Sequence, residues 1–303
     1  MLKLKQLFVA LLLGLATQQA VLAQERAPSA PLQTPEPSAS EGAKDDAIGL
    51  APARFELAMV PGTERTVIVN IIYSSASGEA EPCRLVASTG DWSILNGGDV
   101  EYYKAGTRPG SAAPWMIYTP GEVTVAPGKV HPIRVTISVP KDAAPGDHLA
   151  ALFVESRPDN IKLDQNRRQV ILRFRMAALF YIMVPQITQK GSLEGLSAEA
   201  GEGGIIVTPS LRNSGNSHIR PAHAIRVLNG ENSVVADMPE SESLPVLGNS
   251  ELRRPLLIEK ALPPGLYTVQ YRVNFKDGGP IVEGQTELRV SGGGGQGQPP
   301  PHF

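Results

Sequence analysis

An unusually long run of alternating apolar residues, at positions 169–184, most constrains the fold of this chain. The even positions are all apolar: Val170, Leu172, Phe174, Met176, Ala178, Phe180, Ile182 and Val184. Side chains on a β-strand alternate between its two faces, so the run predicts one strand with a continuous apolar face. A typical strand has roughly 5–6 residues. Such a long apolar strand needs cover from its own domain, from a second domain or from a partner chain.

Shorter β-type segments separated by turn signals fill most of the remaining chain. They lie at 66–73, 91–95, 122–126, 135–139, 148–155, 204–211, 224–228, 256–258, 267–274 and 283–290. The 27 prolines and 30 glycines interrupt most windows that a helix would need. This spacing predicts an all-β fold of two immunoglobulin-like β-sandwich domains in tandem, at residues 48–186 and 187–291.

The first 23 residues have the layout of a secretory signal peptide. Lys3 and Lys5 precede an apolar core at residues 7–15, and Val21-Leu22-Ala23 supplies a small-residue cleavage site. The apolar core is too short to span a bilayer. We expect cleavage after Ala23 and a mature protein that is periplasmic or secreted, with no transmembrane segment.

Two segments of low complexity flank the predicted domains. Residues 24–47 are rich in Ala, Pro, Ser and Glu, and this composition predicts a disordered linker because it buries too little apolar surface. Residues 292–303 are rich in Gly and Pro and predict a flexible tail.

Charge and cysteine content narrow the possible functions. The chain has 28 basic and 30 acidic residues, and loss of Lys3 and Lys5 with the signal peptide brings the net charge near −4. This balance gives no electrostatic footprint for nucleic acid.

Cys83 is the only cysteine, so an intrachain disulfide is excluded. It is interpreted as a small buried strand residue, with an intermolecular disulfide as the alternative.

No residue pattern points to an enzyme, a metal site or a cofactor. His218 and His223 lack acidic or cysteine companions in the sequence. The glycines at 201–204 precede a strand, whereas a phosphate cradle needs a helix start. No serine has the context of a nucleophile elbow.

Two groups of side chains have both a functional and a structural interpretation. The basic group consists of Arg157, Lys162, Arg167, Arg168, Arg173 and Arg175. It predicts a docking face for an acidic partner or an envelope polymer, or else a solvated edge that discourages aggregation, and we favour the solvated edge. The aromatic group of Trp92, Tyr102, Tyr103 and Trp115 is interpreted as core or rim, with a sugar- or peptide-binding patch as the alternative.

Three ordered motifs within residues 48–186 carry a resemblance to a known family. They are Ala51-Pro52-Ala53-Arg54-Phe55-Glu56-Leu57 with Pro61-Gly62; Tyr118-Thr119-Pro120 with Val125-Ala126-Pro127-Gly128, Ile133-Arg134-Val135 and Val139-Pro140-Lys141-Asp142; and Met176-Ala177-Ala178-Leu179-Phe180-Tyr181 before Pro185. In this order and spacing, the first domain resembles the N-terminal immunoglobulin-like domain of the PapD-like periplasmic pilus chaperones.

The resemblance implies a way of binding a partner. In such chaperones, two basic residues in the cleft between the domains hold the C-terminal carboxylate of a subunit, and the last strand of the first domain is donated to that subunit. Arg54 matches the first basic residue. Ala178 stands where the second, a lysine, would be expected, and Ile182 replaces the arginine expected after Tyr181.

The two faces of the long strand are predicted to have different roles. The first half of its odd face contains Arg173 and Arg175, which are costly to bury, so the even face is assigned to the core. In the second half both faces are apolar, and Ala177, Leu179, Tyr181 and Met183 are predicted to lie at the domain junction.

The leading hypothesis is an exported PapD-like chaperone, or a chaperone-like protein, that captures a secreted or envelope protein subunit by strand addition in pilus assembly. Its predicted partner-binding residues are Arg54, Ile171, Arg173, Arg175, Leu179 and Tyr181. The alternative is a structural or adhesive immunoglobulin-like surface protein without chaperone activity. The long linker, the Gly-rich tail and the missing lysine are consistent with this alternative.

Overall fold

The computed structural model describes residues 47–75, 80–157, 173–201 and 203–291, which form eighteen strands and one short 3-10 helix. The first part contains β1 (Ala47–Ala51), β2 (Arg54–Ala58), β3 (Glu64–Ser74), β4 (Cys83–Ile94), β5 (Val100–Lys104), the 3-10 helix (Ala113–Trp115), β6 (Met116–Thr119), β7 (Glu122–Val125), β8 (Val130–Ser138), β9 (Gly146–Ser156) and β10 (Arg175–Val184). The second contains β11 (Gly191–Gly201), β12 (Gly204–Asn213), β13 (Ala222–Leu228), β14 (Val234–Glu242), β15 (Ser250–Leu252), β16 (Leu256–Ile258), β17 (Gly265–Asn274) and β18 (Val282–Val290).

The first sandwich, residues 47–184, packs two sheets face to face. One sheet has the order β1-β3-β8-β6, and the other has the order β2-β10-β9-β4-β5 with β7 also paired to β4. Its core includes Leu57, Val69, Ile71, Leu85, Ile133, Val135, Ile137, Leu152, Val154, Phe180 and Ile182. The alternating inward side chains of both sheets therefore form one apolar layer.

The second sandwich, residues 191–290, repeats this plan with fewer strands. Its sheets have the orders β11-β12-β15, with β16 also paired to β12, and β14-β13-β17-β18. Its core includes Ile205, Leu211, Ile225, Tyr267, Tyr271 and Phe275. The predicted all-β fold of two β-sandwiches is confirmed.

The chain passes from one sheet of the first sandwich to the other between β1 and β2. β1 runs antiparallel to β3, whereas β2 runs parallel to β10 with Arg54 opposite Leu179 and Ala58 opposite Met183. This switch makes β2 the neighbour of only the second half of β10, which leaves the first half at the border of the sheet.

Strand β10 has its even face in the core, as the alternation predicts. Ala178, Phe180, Ile182 and Val184 are buried in the first core, and Met176 packs against it. The predicted start of this strand, residues 169–172, lies outside the described residues, as does most of the predicted linker at 24–47.

Several strands were not predicted because their residues are polar or glycine-rich. β11 contains three glycines and two glutamates, and it forms through its pairing with β12 along nearly its whole length. Tertiary pairing thus overrides weak intrinsic strand propensity.

Cys83 is half-buried at the start of β4 and packs against the first core. No helix among the described residues is long and apolar enough to cross a membrane.

Candidate functional site

The first half of β10 has a backbone edge that pairs with no described strand. The amide of Ser156 in β9 donates to the carbonyl oxygen of Phe174 at 3.0 Å, so the even residues of β10 direct their backbone groups towards β9. The odd residues therefore point the other way, and Leu179 N–H donates to the carbonyl oxygen of Ala53 at 2.8 Å. We call residues 175–178 the open edge, because the outward groups of Arg175 and Ala177 have no partner strand in the described part of the chain.

Basic and aromatic side chains surround the open edge. Arg173 and Arg175 are exposed, and the guanidinium carbon of Arg175 lies 3.7 Å above the ring centre of Phe153. Phe153 in turn meets the exposed ring of Tyr102 edge-on, with ring centres 5.1 Å apart. This cation–π contact holds the head group of Arg175 against Phe153 on the outer face of the sheet.

The other predicted basic residues are dispersed or not described. Arg157 pairs with Glu155, with Nε and Oε1 3.7 Å apart. Lys162, Arg167, Arg168 and the predicted site residue Ile171 lie outside the described residues. Arg173 and Arg175 therefore remain as the basic residues at the open edge.

Tyr181 lies in the junction between the sandwiches. Its side chain is only 2% exposed, in a cluster with Trp92, Phe153 and Leu247 of the second sandwich. Its ring centre is 4.9 Å from that of Trp92 and 4.4 Å from that of His218. Burial raises the pKa of Tyr181 to about 12. The predicted contact of Tyr181 with a partner would require this junction to open, whereas Leu179 is half-buried at the border of the same cluster.

A group of four charged or titratable side chains forms one side of the junction. Oε1 of Glu56 accepts hydrogen bonds from Arg220 Nε at 3.0 Å and Nη2 at 2.7 Å. The same oxygen lies 3.4 Å from Nε of Arg54 and 3.7 Å from Nε2 of His218. Two arginines, one from each sandwich, therefore share a single carboxylate oxygen. We call Arg54 and Arg220 the arginine pair.

A second carboxylate secures His218 from the opposite side. Asp147 accepts hydrogen bonds from Ser217 Oγ at 2.8 Å and from the amide of His218 at 2.6 Å. Its Oδ2 is also 2.7 Å from His218 Nδ1, and its own amide donates to the carbonyl oxygen of Asn216 at 3.0 Å. The side chains of Asp147 and His218 are both buried, and they satisfy each other's hydrogen-bonding groups.

The absence of a lysine at position 178 is explained by the face of β10 on which this position lies. Ala178 is 0% exposed and points into the first core, where a lysine side chain would lack solvent. Arg220 brings a second basic group to the cleft from the second sandwich. Sequence reasoning missed Arg220 because it lies in the segment before β13, which has neither strand periodicity nor a recognisable motif.

The histidines and aromatic residues that were considered in the sequence lie in different parts of the structure and do not form one site. His218 belongs to the junction, and His223 Nδ1 is 3.1 Å from the hydroxyl of buried Tyr271. Burial lowers the pKa of His223. Trp115 packs against His148, with ring centres 4.4 Å apart. Among the described residues, no three His, Cys, Asp or Glu side chains group as metal ligands would.

Comparisons with known proteins give matches only among solved structures. No family model matches the sequence, and no curated protein matches it. The chain is similar to a chaperone–tip adhesin complex of CFA/I fimbriae biogenesis, with 12% identity over 79% of this chain and 98% of that one and a TM-score of 0.42. The class 5 fimbriae chaperone CfaA is 13% identical over 80% of this chain and 100% of its own, with a TM-score of 0.39.

A third similar structure is the CsuC–CsuE chaperone–tip adhesion subunit complex from the archaic chaperone-usher pili of Acinetobacter baumannii. It is 12% identical over 80% of this chain and 98% of that one, with a TM-score of 0.39.

Proposed function

We propose that this protein is a periplasmic chaperone that captures another exported protein by strand addition, in the assembly of pili or related envelope structures. The observation that carries the proposal is the open edge of β10 beside the arginine pair. An unpaired strand edge is a template for a further strand. Backbone hydrogen bonds then supply affinity, and alternate side chains supply specificity.

The direction of β2 indicates how a partner strand would end. β2 runs parallel to β10 and begins at Arg54, directly beyond the open edge. A partner strand that also ran parallel to β10 would lie in line with β2, and its C-terminus would approach Arg54. The proposed partner is therefore a subunit whose last strand pairs with residues 175–178.

The arginine pair supplies the charge for binding that C-terminus. In the free protein, Arg54 and Arg220 both contact Oε1 of Glu56. A partner carboxylate would replace or join Glu56 as the acceptor for their guanidinium groups. Hydrogen bonds in which both groups are charged are about twice as strong as neutral ones. Arg220 would thus take the place of the lysine expected from the resemblance.

The test is capture of co-exported proteins by the mature chain carrying Arg54→Ala. The Arg54 side chain is 53% exposed, and a surface ion pair contributes about 0–1 kcal/mol, so the variant is expected to fold. Arg65→Ala is the matched control, because Arg65 is an exposed arginine on β3 in the other sheet. Proteins crosslinked in the native envelope would be identified by mass spectrometry.

The proposal predicts a stoichiometric partner that Arg54→Ala loses and Arg65→Ala retains. Equal capture by both variants would exclude the arginine pair as the anchor. Recovery of only the free protein, or of cell-wall polymer, would favour the structural surface protein instead.

A further inference from the structure

We infer that the partner strand alternates carboxylate and apolar side chains. The inference rests on the proposed function, since it specifies the chemistry of the segment that pairs with the open edge. It follows from the two faces that the edge presents, which differ in charge and in exposure.

The outer face of the edge presents two basic side chains. Arg175 is the first residue of β10, and Arg173 lies two positions before it, where Phe174 still bonds to β9 through its carbonyl oxygen. An added strand that extends past Arg175 would therefore meet both arginines on one side. Both are exposed, and neither forms an ion pair with a residue in the described ranges. Glu155 lies opposite Arg175 in β9, and its Oε1 is 3.7 Å from Nε of Arg157.

The stack on Phe153 fixes one of these arginines in position for an added strand. The guanidinium carbon of Arg175 lies 3.7 Å from the centre of the Phe153 ring, so the ring supports the head group of this side chain on the outer face. A planar guanidinium held in this way presents a fork of donors that fits a carboxylate bidentately. Side chains directly opposite on neighbouring strands have Cβ atoms about 4.5–5.5 Å apart, which suits a carboxylate on the partner.

The inner face of the edge is apolar and incompletely covered. Phe174 is 39% exposed, and Met176 is half-buried against the first core. They alternate with Arg173 and Arg175 along the strand. A partner residue facing Phe174 or Met176 would therefore extend the core and should be apolar. A partner strand with carboxylates at every second position and apolar residues between them matches both faces.

The probes are three peptides of about nine residues that alternate valine with glutamate, glutamine or lysine. Binding to the mature protein would be measured by calorimetry at low ionic strength, and the site would be located by hydrogen exchange of the backbone amides. The variant Arg173→Gln/Arg175→Gln removes both charges. The matched control, Arg272→Gln/Arg289→Gln, removes two exposed charges from the neighbouring strands β17 and β18 of the second sandwich.

The glutamate peptide should bind about 2- to 30-fold more tightly than the glutamine peptide, because each opposite-charge pair across strands adds a modest increment. The lysine peptide should bind most weakly. Binding should protect the amides of Arg175 and Ala177, and the preference for glutamate should disappear in Arg173→Gln/Arg175→Gln but persist in the control.

The outcomes separate this inference from the proposed function. Equal binding of all three peptides, with protection at Arg175 and Ala177, would overturn the acidic partner and leave strand addition intact. A glutamate preference that survives in Arg173→Gln/Arg175→Gln would overturn the assignment of these arginines. No protection of the open edge by any peptide would overturn both.

Discussion

Nδ1 of His218 lies 2.7 Å from Oδ2 of Asp147, and this contact joins the second sandwich to the start of β9. Both side chains are buried, and Asp147 also accepts hydrogen bonds from Ser217 Oγ and from the amide of His218. The contact places Arg220, two residues after His218, beside Glu56. The position of the arginine pair relative to the open edge therefore depends on Asp147.

Replacement of Asp147 tests this dependence. Asp147→Ala removes the acceptor for three donors of Ser217 and His218, and each buried donor left unsatisfied costs about 1–3 kcal/mol. We expect the free energy of unfolding to fall by at least that amount in urea titrations followed by the fluorescence of Trp92 and Trp115. Asp142→Ala, at an exposed position, is the control. An Asp147→Ala variant as stable as the control would show that the junction does not rely on this carboxylate.

The open edge can be tested with proline, which lacks the backbone N–H. The amide of Ala177 points away from β9, whereas that of Ala178 points towards it in the ladder. Proline is tolerated where a strand directs its N–H outwards and is not tolerated within a ladder. Ala177→Pro should therefore fold and lose partner capture, while Ala178→Pro should be strongly destabilised in thermal unfolding. Full capture by a folded Ala177→Pro would exclude pairing at this edge.

The outer face of the edge depends on a glycine in β4. A methyl group at Gly90 would lie 2.5 Å from Cε2 of Phe153 and 2.8 Å from the carbonyl oxygen of Tyr103. Gly90→Ala must displace the ring on which Arg175 stacks, and such overpacking costs about 1–3 kcal/mol. Gly49→Ala in β1 is the control, because no atom lies within 4 Å of its added methyl group. Denaturant midpoints should separate the two variants, and equal midpoints would show that Phe153 is free to move.

The long strand illustrates what could be predicted from the sequence. Its period-2 alternation identified the even face as core because burial of every second side chain leaves a direct pattern. The extent of the open edge could not be predicted, since it depends on the register that pairs Arg54 with Leu179 across the switch between the sheets. That register is set by the path of the chain between β1 and β2, not by the residues of β10.

The site residues also show that contacts between residues distant in the sequence could not be predicted from a local pattern. Arg54 was predicted from its place in a motif that resembles the PapD-like chaperones, and Arg175 from the basic segment around the long strand. Arg220 was missed because its partner, Glu56, is 164 residues away in the sequence. Tyr181 was predicted both to lie at the domain junction and to bind a partner. The structure confirms the junction, because Leu247 of the second sandwich packs in the same cluster, whereas the identity of Leu247 could not be predicted from the alternation of β10.

The buried phenol of Tyr181 makes the junction sensitive to alkaline pH. Its pKa is raised from 10.0 to about 12, chiefly by burial, so the folded protein retains the proton in a range where the unfolded chain releases it. The stability that comes from the neutral phenol is therefore complete below pH 10 and is lost as the pH rises towards 12. The rise in the pKa of Tyr181 corresponds to about 3 kcal/mol of the free energy of unfolding.

Tyr181→Phe removes the ionisable phenol and, with it, this dependence of stability on pH. Burial also raises the pKa of Tyr271, but that residue is present in both proteins and its effect cancels in the comparison. Free energies of unfolding, measured in urea between about pH 9 and 12, should therefore decline more steeply in the wild type than in Tyr181→Phe. Parallel declines would mean that solvent reaches the phenol, so that the junction at Trp92, His218 and Leu247 opens readily. A readily opened junction would in turn make Tyr181 accessible to a partner, as the sequence predicts.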